Sequence, residues 1–264
     1  MSPLPASLLE EHRVVQRSEE EAEFVAEKAS PGALGSVAVA APRSAPLDLL
    51  VQRQGASPLA PAGNRAALYL VLKRSIDVAG AFVLLLILSP VLLATWLILM
   101  WTTKGRPIFV QQRVGFLEKP FRMYKFRTMV IGAAAKQQAI ANHKDGPIFK
   151  NFRDPRITRV GRILRSLSID ETPQLFNVLL GQMSLVGPRP ALAREVREYQ
   201  PWQRRRLTVK PGLTCLWQVS GRSEIGFDEW MRMDAWYVDH QTFWTDLKLL
   251  ALTPWSVLSR RGAY

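Results

Sequence analysis

From Val78 to Trp101 the chain runs for 24 residues without a charged side chain. As an α-helix rising about 1.5 Å per residue, such a run can cross a hydrocarbon core of about 30 Å. Ser89-Pro90 lies at its centre, where proline removes an amide donor and bends a helix. Basic residues stand at both ends, Lys73 and Arg74 before the run and Lys104 and Arg106 after it. Lysine and arginine favour the cytoplasmic side of a membrane. Two arrangements meet these facts. One is a kinked helix that spans the bilayer. The other is a re-entrant helix-break-helix that turns at Ser89-Pro90 and comes back to the same side. The return opens backbone groups at the break, which Ser89 and neighbouring protein must cover. A buried helix of a soluble protein fits least well.

The formal net charge of +13 is unevenly placed: residues 1–72 balance at −2 and the rest at +15. A body this basic calls for an anionic partner, whether nucleic acid, anionic lipid or a phosphate-rich substrate. The single cysteine, Cys215, excludes an internal disulfide and fits a reducing compartment. No secretory leader is read at the start, because Glu10, Glu11, Arg13 and Arg17 interrupt any apolar run. Residues 1–68 are expected to be a disordered, low-complexity tail. Its Pro/Ala/Gly/Ser-rich stretch from Ser30 to Asn64 buries too little apolar surface to offset ordering entropy. It reads equally well as a tether or a dispensable extension. Residues 69–104 then form the membrane segment and 105–264 a compact body.

Within that body, Ile108–Val114 is β-rich and Phe121–Phe126 alternates apolar with polar residues, so the two are expected to pair. Beyond them helix dominates, which makes the fold α+β and mainly helical. Ile157, Val160, Leu164 and Leu167 mark an apolar stripe at helical spacing. Arg156, Arg159, Arg162 and Arg165 fan around it, and for most of them a solvated or headgroup-facing position is the simpler reading. Trp230, Trp236, Tyr237, Phe243, Trp244 and Trp255 recur among helical residues; amphipathic helices at a membrane interface and ordinary core packing both account for them.

Chemistry concentrates in Ser168–Gly181. Thr172 and Pro173 read as the N-cap and first residue of a helix that ends at Gly181. Asp170 and Glu171 would then precede the positive end of the helix dipole, a setting that favours ionised carboxylates and attracts phosphate and metal. Such a pair could hold Mg²⁺ and offer one carboxylate to a phosphorus atom as nucleophile. An isolated acidic pair far more often only caps a helix. In Gly187-Pro188-Arg189-Pro190 two prolines stiffen the backbone around Arg189, which suits bidentate phosphate recognition; an ordinary stiff turn is the plainer reading. Lys210-Pro211-Gly212 is a β-turn signature, and Trp217–Arg222 reads as a short strand closing in a glycine turn. Lys210 and Arg222 could face a diphosphate, though either alone is more commonly a surface charge.

Together these stretches resemble the bacterial sugar transferase family, the monotopic phosphoglycosyl transferases. The resemblance rests on Lys73-Arg74-Ser75-Ile76-Asp77, Ser89-Pro90, Tyr124–Met129, Asp154–Gly161, Asp170-Glu171 with Pro173-Gln174-Leu175 and Asn177-Val178, Met183–Pro190, Lys210–Thr214, Trp217–Arg222 and Asp246-Leu247-Lys248. It covers roughly residues 69–264. It implies a re-entrant membrane helix, a catalytic domain on the cytoplasmic face of the bacterial inner membrane, and interfacial amphipathic helices. It also implies a two-step reaction: Asp170 attacks the β-phosphate of a UDP-sugar, UMP leaves, and undecaprenyl phosphate takes the phosphosugar from the aspartate. Mg²⁺ would be held by Asp170 with Glu171. Arg189, Lys125, Arg127 and Arg156 would supply fixed positive charge. Cys215 stands where glycine is common in the family, and Gly262-Ala263-Tyr264 resembles the ending of the longer hexose-1-phosphate members. The implied partners are the UDP-sugar, the polyprenyl phosphate and membrane lipid; a homodimer is compatible, and nucleic acid is not expected. The competing reading is a non-catalytic, membrane-tethered protein whose basic face binds anionic lipid or nucleic acid. Against it, the aromatics are not interleaved with the basic runs as a base-stacking platform needs.

Overall fold

The computed structural model describes residues 64–137, 140–143, 145–151, 153–221 and 225–259. Arg222, the Gly262-Ala263-Tyr264 ending and nearly all of the expected tail over residues 1–68 lie outside them. One structural unit contributes only a short run of turns within residues 131–141; the other comprises residues 44–130 and 142–264 and carries every element below.

Helix α1, Asn64–Thr102, is continuous and contains Pro90. The break expected at Ser89-Pro90 is therefore a proline held within the helix. The Ser89 hydroxyl donates to Leu86 O at 2.8 Å, the local compensation that an exposed proline site favours. Among the described residues Ala67–Thr102 is the one stretch long and apolar enough to cross a membrane, with a mean hydropathy of 2.7 in its most apolar window. Few of its side chains are covered. Those that are lie on both sides of Pro90: Ala81 enters the main core, while Leu99 joins Phe126 and Leu164 in a second cluster with Leu92 against it.

After the turn at Gly105 come β1 (Ile108–Val114) and β2 (Pro120–Phe126), paired antiparallel from Ile108↔Phe126 to Val114↔Pro120 as the alternation predicts. Helix α2 (Arg159–Ser166) carries Val160 and Leu164 of the predicted stripe, with Ile157 and Leu167 just beyond its ends: Leu164 is buried, and Thr158 caps the helix by accepting from Gly161 N at 2.9 Å. Gly161 meets the chain at Thr128 so closely that an added Cβ would lie 2.0 Å from the Thr128 carbonyl oxygen.

A 3-10 turn, Ile169–Glu171, leads into α3 (Gln174–Leu179). Beyond it β3 (Ser184–Val186) pairs in parallel with β4 (Gly212–Thr214), through Ser184↔Gly212 and Val186↔Thr214. Helix α4 (Ala193–Arg197) and a 3-10 stretch, Gln203–Thr208, lie between these strands in sequence. Residues Leu216–Ser220 form helix α5, correcting the strand expected over Trp217–Arg222; Cys215 immediately precedes it, extended and buried. The reason is tertiary: a single turn here tucks Leu216 into the core and lets Gln218 O accept from Ser256 of the last helix. Helices α6 (Phe227–Asp239) and α7 (Phe243–Leu258) complete the unit. The aromatics divide between them. Trp230 and Tyr237 are core, whereas Trp244 and Trp255 on α7 stand 66% and 76% exposed.

Candidate active site

Asp170 and Glu171 lie just ahead of α3, as expected, but not as a plain capping segment. They form a 3-10 turn that begins after Ser168, a left-handed residue (φ 56°). Thr172 does not cap α3, because its hydroxyl donates back to Ile169 O at 2.6 Å. The two carboxylates meet different surroundings.

Glu171 is held by cations. Its Oε1 accepts from Lys125 Nζ at 2.9 Å and from an Arg189 terminal nitrogen at 2.8 Å. Those two positive charges hold its carboxyl well below the usual carboxylate range, overcoming the upward push of burial. Burial in turn pushes the Lys125 ammonium down to about 8, with Glu171 resisting the shift. The negative charge of Glu171 raises Arg189 above the usual guanidinium value.

Asp170 is different. It is buried, and its carboxylate accepts no hydrogen bond from the described residues. Burial first, and then the charge of Glu171, pushes its pKa up; Lys125, Arg165 and Arg189 oppose the rise. The site therefore pairs one carboxylate locked by two cations with another left open in a positive field. An open, more basic carboxylate is the better nucleophile, and the locked one is a poor nucleophile because its lone pairs are committed. The same contrast fits magnesium. Mg²⁺ takes one or two protein carboxylates and fills its other positions with water and substrate phosphate, and Asp170 has that capacity to give.

Other residues singled out from sequence lie elsewhere. Arg127 donates to Arg106 O at 2.8 Å and Ile108 O at 3.3 Å, and its guanidinium covers the Phe109 ring, bracing the junction of α1 and β1. Arg156 is buried, not solvated, and forks onto Asp154 at 2.7–3.2 Å over the Phe149 ring. Lys210 lies beside Arg74 and Gly181 on the side of α1.

Lys73 and Arg74 dock the helix to the body. Arg74 donates to Val178 O and Leu179 O at the end of α3, at 2.7 and 2.8 Å. Lys73 pairs with Asp246 at 2.8 Å, and Asp246 also accepts from Tyr69 and Tyr237. The same cluster lines a small pocket open to solvent, completed by Ile76, Asp77, Phe243 and Leu250 among others.

Sequence reasoning missed Arg165. The fan around α2 gives it the same standing as Arg159 and Arg162, which are exposed. In the fold its Nε donates to Thr128 Oγ1 at 2.9 Å, and Asp170 is the carboxylate that most favours its charge. A helical wheel carries the only available signal: Arg165 follows Leu164 on the edge of the buried stripe.

The chain belongs to the bacterial sugar transferase family, which residues 68–260 match. It is 44% identical over 199 residues to the galactosyl transferase CpsE of Streptococcus agalactiae, covering 74% of this chain and 44% of that protein. It is also 44% identical over 203 residues to the undecaprenyl-phosphate galactose phosphotransferase of Salmonella typhimurium, covering 73% of this chain and 42% of that one. The exopolysaccharide production protein ExoY of Rhizobium meliloti is 36% identical over 200 residues, covering 73% and 88% respectively. The chain thus spans less than half the length of the first two relatives and most of the third.

Proposed function

We propose that this protein transfers a hexose-1-phosphate from a UDP-sugar to undecaprenyl phosphate through a phosphosugar carried on Asp170. The observation that carries this reading is the unequal pair: Asp170 open beside Lys125, Arg165 and Arg189, and Glu171 fixed by two of those cations. In the first step an Asp170 carboxylate oxygen forms a bond to the β-phosphorus, and the bridging bond to UMP breaks. In the second, a phosphate oxygen of the polyprenyl acceptor attacks the same phosphorus and frees Asp170. Splitting the transfer in this way avoids bringing two anionic substrates together at once. Arg189, kept in place through Glu171, meets the charge spread over the phosphoryl oxygens, as a preorganised cation should. Arg165 faces the same group from α2. Magnesium, held by Asp170 with Glu171 beside it, would neutralise diphosphate charge.

A bilayer position supports the choice of acceptor. Residues 77 and 99 of α1 both meet the catalytic body, although a straight helix would separate them by about 33 Å. Asp77 accepts from Ser184 Oγ and Leu185 N, and Leu99 packs on Phe126 and Leu164. A helix spanning the membrane would carry those ends to opposite faces. A return to the same face by an uninterrupted helix bent near Pro90 is therefore the favoured path, with the body on the cytoplasmic face and the exposed Leu86 and Ile87 turned toward lipid near the bend. Trp244, Trp255 and Leu258 extend this apolar surface along α7, as an interfacial helix requires.

The test is UMP release from a panel of UDP-hexoses by purified protein with Mg²⁺ and undecaprenyl phosphate. Asp170→Asn is expected to abolish release, and Arg162→Gln, an exposed change on α2, to retain most of it. Equal activity in both variants removes the nucleophile. A protein that only binds anionic lipid releases no UMP under any condition.

A further inference from the structure

Arg189 lies between two prolines, and the backbone of that segment raises a question of its own. Pro188 and Pro190 donate no hydrogen bond, yet the carbonyls from Pro188 to Ala191 still need donors, because a buried carbonyl without one costs roughly 1–3 kcal/mol. All four are answered, from three elements: β1, β4 and the 3-10 stretch Gln203–Thr208. Pro188 O accepts from Gly212 N on β4 at 2.8 Å, and Ala191 O from Val114 N on β1 at 2.9 Å. The middle two are answered by side chains. Arg206 donates to Arg189 O at 2.7 Å, and Arg113 donates to Pro190 O at 3.1 Å.

Arg206 is itself firmly placed. It is 3% exposed, lies over the Tyr199 and Trp230 rings at 5.6 and 5.3 Å, donates to Tyr199 OH at 2.6 Å, and pairs with the fully buried Asp234 at 2.9 Å. Arg113 is steadied by Gln111, whose Oε1 accepts from its Nε and a terminal nitrogen. A buried ion pair is an expensive way to obtain stability, since apolar side chains of the same volume do as well or better. It is an effective way to point a donor in a fixed direction. Here the direction is the main-chain carbonyl of Arg189, the arginine that bonds Glu171 among the described residues.

We infer that Arg206, oriented by Asp234, and Arg113 are positioning residues that clamp the Arg189 backbone from two sides and so set the reach of its guanidinium toward Glu171 and the transferring phosphoryl group. Neither touches the reacting atoms. The inference rests on the proposed phosphosugar transfer and would explain how a turn stiffened by proline acquires one orientation.

The experiment is a double-mutant cycle on UMP release in detergent micelles, with thermal midpoints recorded for every variant. Arg206→Lys keeps a cation for Asp234 but loses the fork that reaches Arg189 O. In the parent it is expected to lower kcat by about 10- to 100-fold, the scale of a small misplacement of a catalytic group. In an Arg189→Ala background, read with radiolabelled donor, it is expected to change kcat by less than about twofold, because no guanidinium remains to be placed. An equal loss in both backgrounds overturns the inference and makes Arg206 a purely structural residue. Should Arg206→Lys not fold, Arg113→Lys, which frees only the Pro190 carbonyl, goes through the same cycle under the same criterion. A parent protein that releases no UMP removes the reaction and the positioning role together, whereas an active parent with an additive cycle removes only the positioning role.

Discussion

Lys73 reads from sequence as a charge flanking a membrane segment, and in the fold it is a bolt. Its ammonium meets Asp246 at 2.8 Å and Val186 O at 3.1 Å, and both charged side chains are almost enclosed, at 13% and 9% exposure. Tyr237 has one hydroxyl proton, and its shorter contact, 2.7 Å against 3.1 Å, gives that proton to Asp246. Val186 O therefore depends on Lys73. Changing Lys73→Met keeps the stem and removes the charge. A buried ion stripped of its partner costs about 3–5 kcal/mol. Here the tyrosine hydroxyls still serve Asp246, which brings the expected loss to about 2–4 kcal/mol. For a domain of this size each kcal/mol moves the thermal midpoint by about 2–4 °C, so a fall of about 5–15 °C is expected. Tryptophan fluorescence during heating in detergent measures it, and Asp246→Asn supplies the second edge of a cycle. The double variant should lose less than the sum of the single losses. A Lys73→Met midpoint within about 1 °C of the parent, or strict additivity, would refute the docking role.

Two further outcomes follow from the site and from α1. Lys125, pushed by burial down to about 8, carries its charge below that pH and loses it above, so UMP release should decline on an alkaline limb centred near 8. Stability runs the other way: between about 8 and the ordinary lysine value near 10.4 the unfolded chain holds a proton that the folded one has released, so rising pH favours the fold across that window. Lys125→Arg should carry the limb upward, and a limb that stays in place would assign it to another group. For topology, single cysteines replacing Ala67 and Lys104 in a Cys215→Ser background should react with an impermeant maleimide from the same side of the membrane. Labelling from opposite sides would establish a spanning helix.

How much of this was legible beforehand depends on how local the cause is. The β1–β2 pair and α2 were visible because alternation and helical spacing are written into consecutive residues. Asp170 and Glu171 stood out as a pair, but their unequal surroundings did not, since these follow from cations on β2 and after β3. Strands β3 and β4 are three residues each and buried, too short to show a period. The Trp217–Ser220 stretch has strand-like composition, and its packing under α7 made it helix. Arginines were the hardest. Arg156, Arg162, Arg165, Arg189 and Arg206 are equivalent letters, and whether one is solvent-facing, structural or aimed at Asp170 is decided by partners distant in the chain.

Where β3 leaves its pairing with β4, Gly187 and Gly212 meet back to back. A Cβ on Gly187 would lie 2.4 Å from Lys210 O, and one on Gly212 would lie 2.1 Å from Gly187 N. Both obstacles are main chain, which has no rotamer to yield. A methyl group at either position cannot be absorbed by trimming a neighbour, and trimming the opposite glycine is impossible. The segment carrying Arg189 is thereby welded to the one carrying Lys210, so a displacement of either loop drags the other. A ligand that tugged at Lys210 would be felt at Arg189 and the Glu171 it holds without any side chain relaying the message.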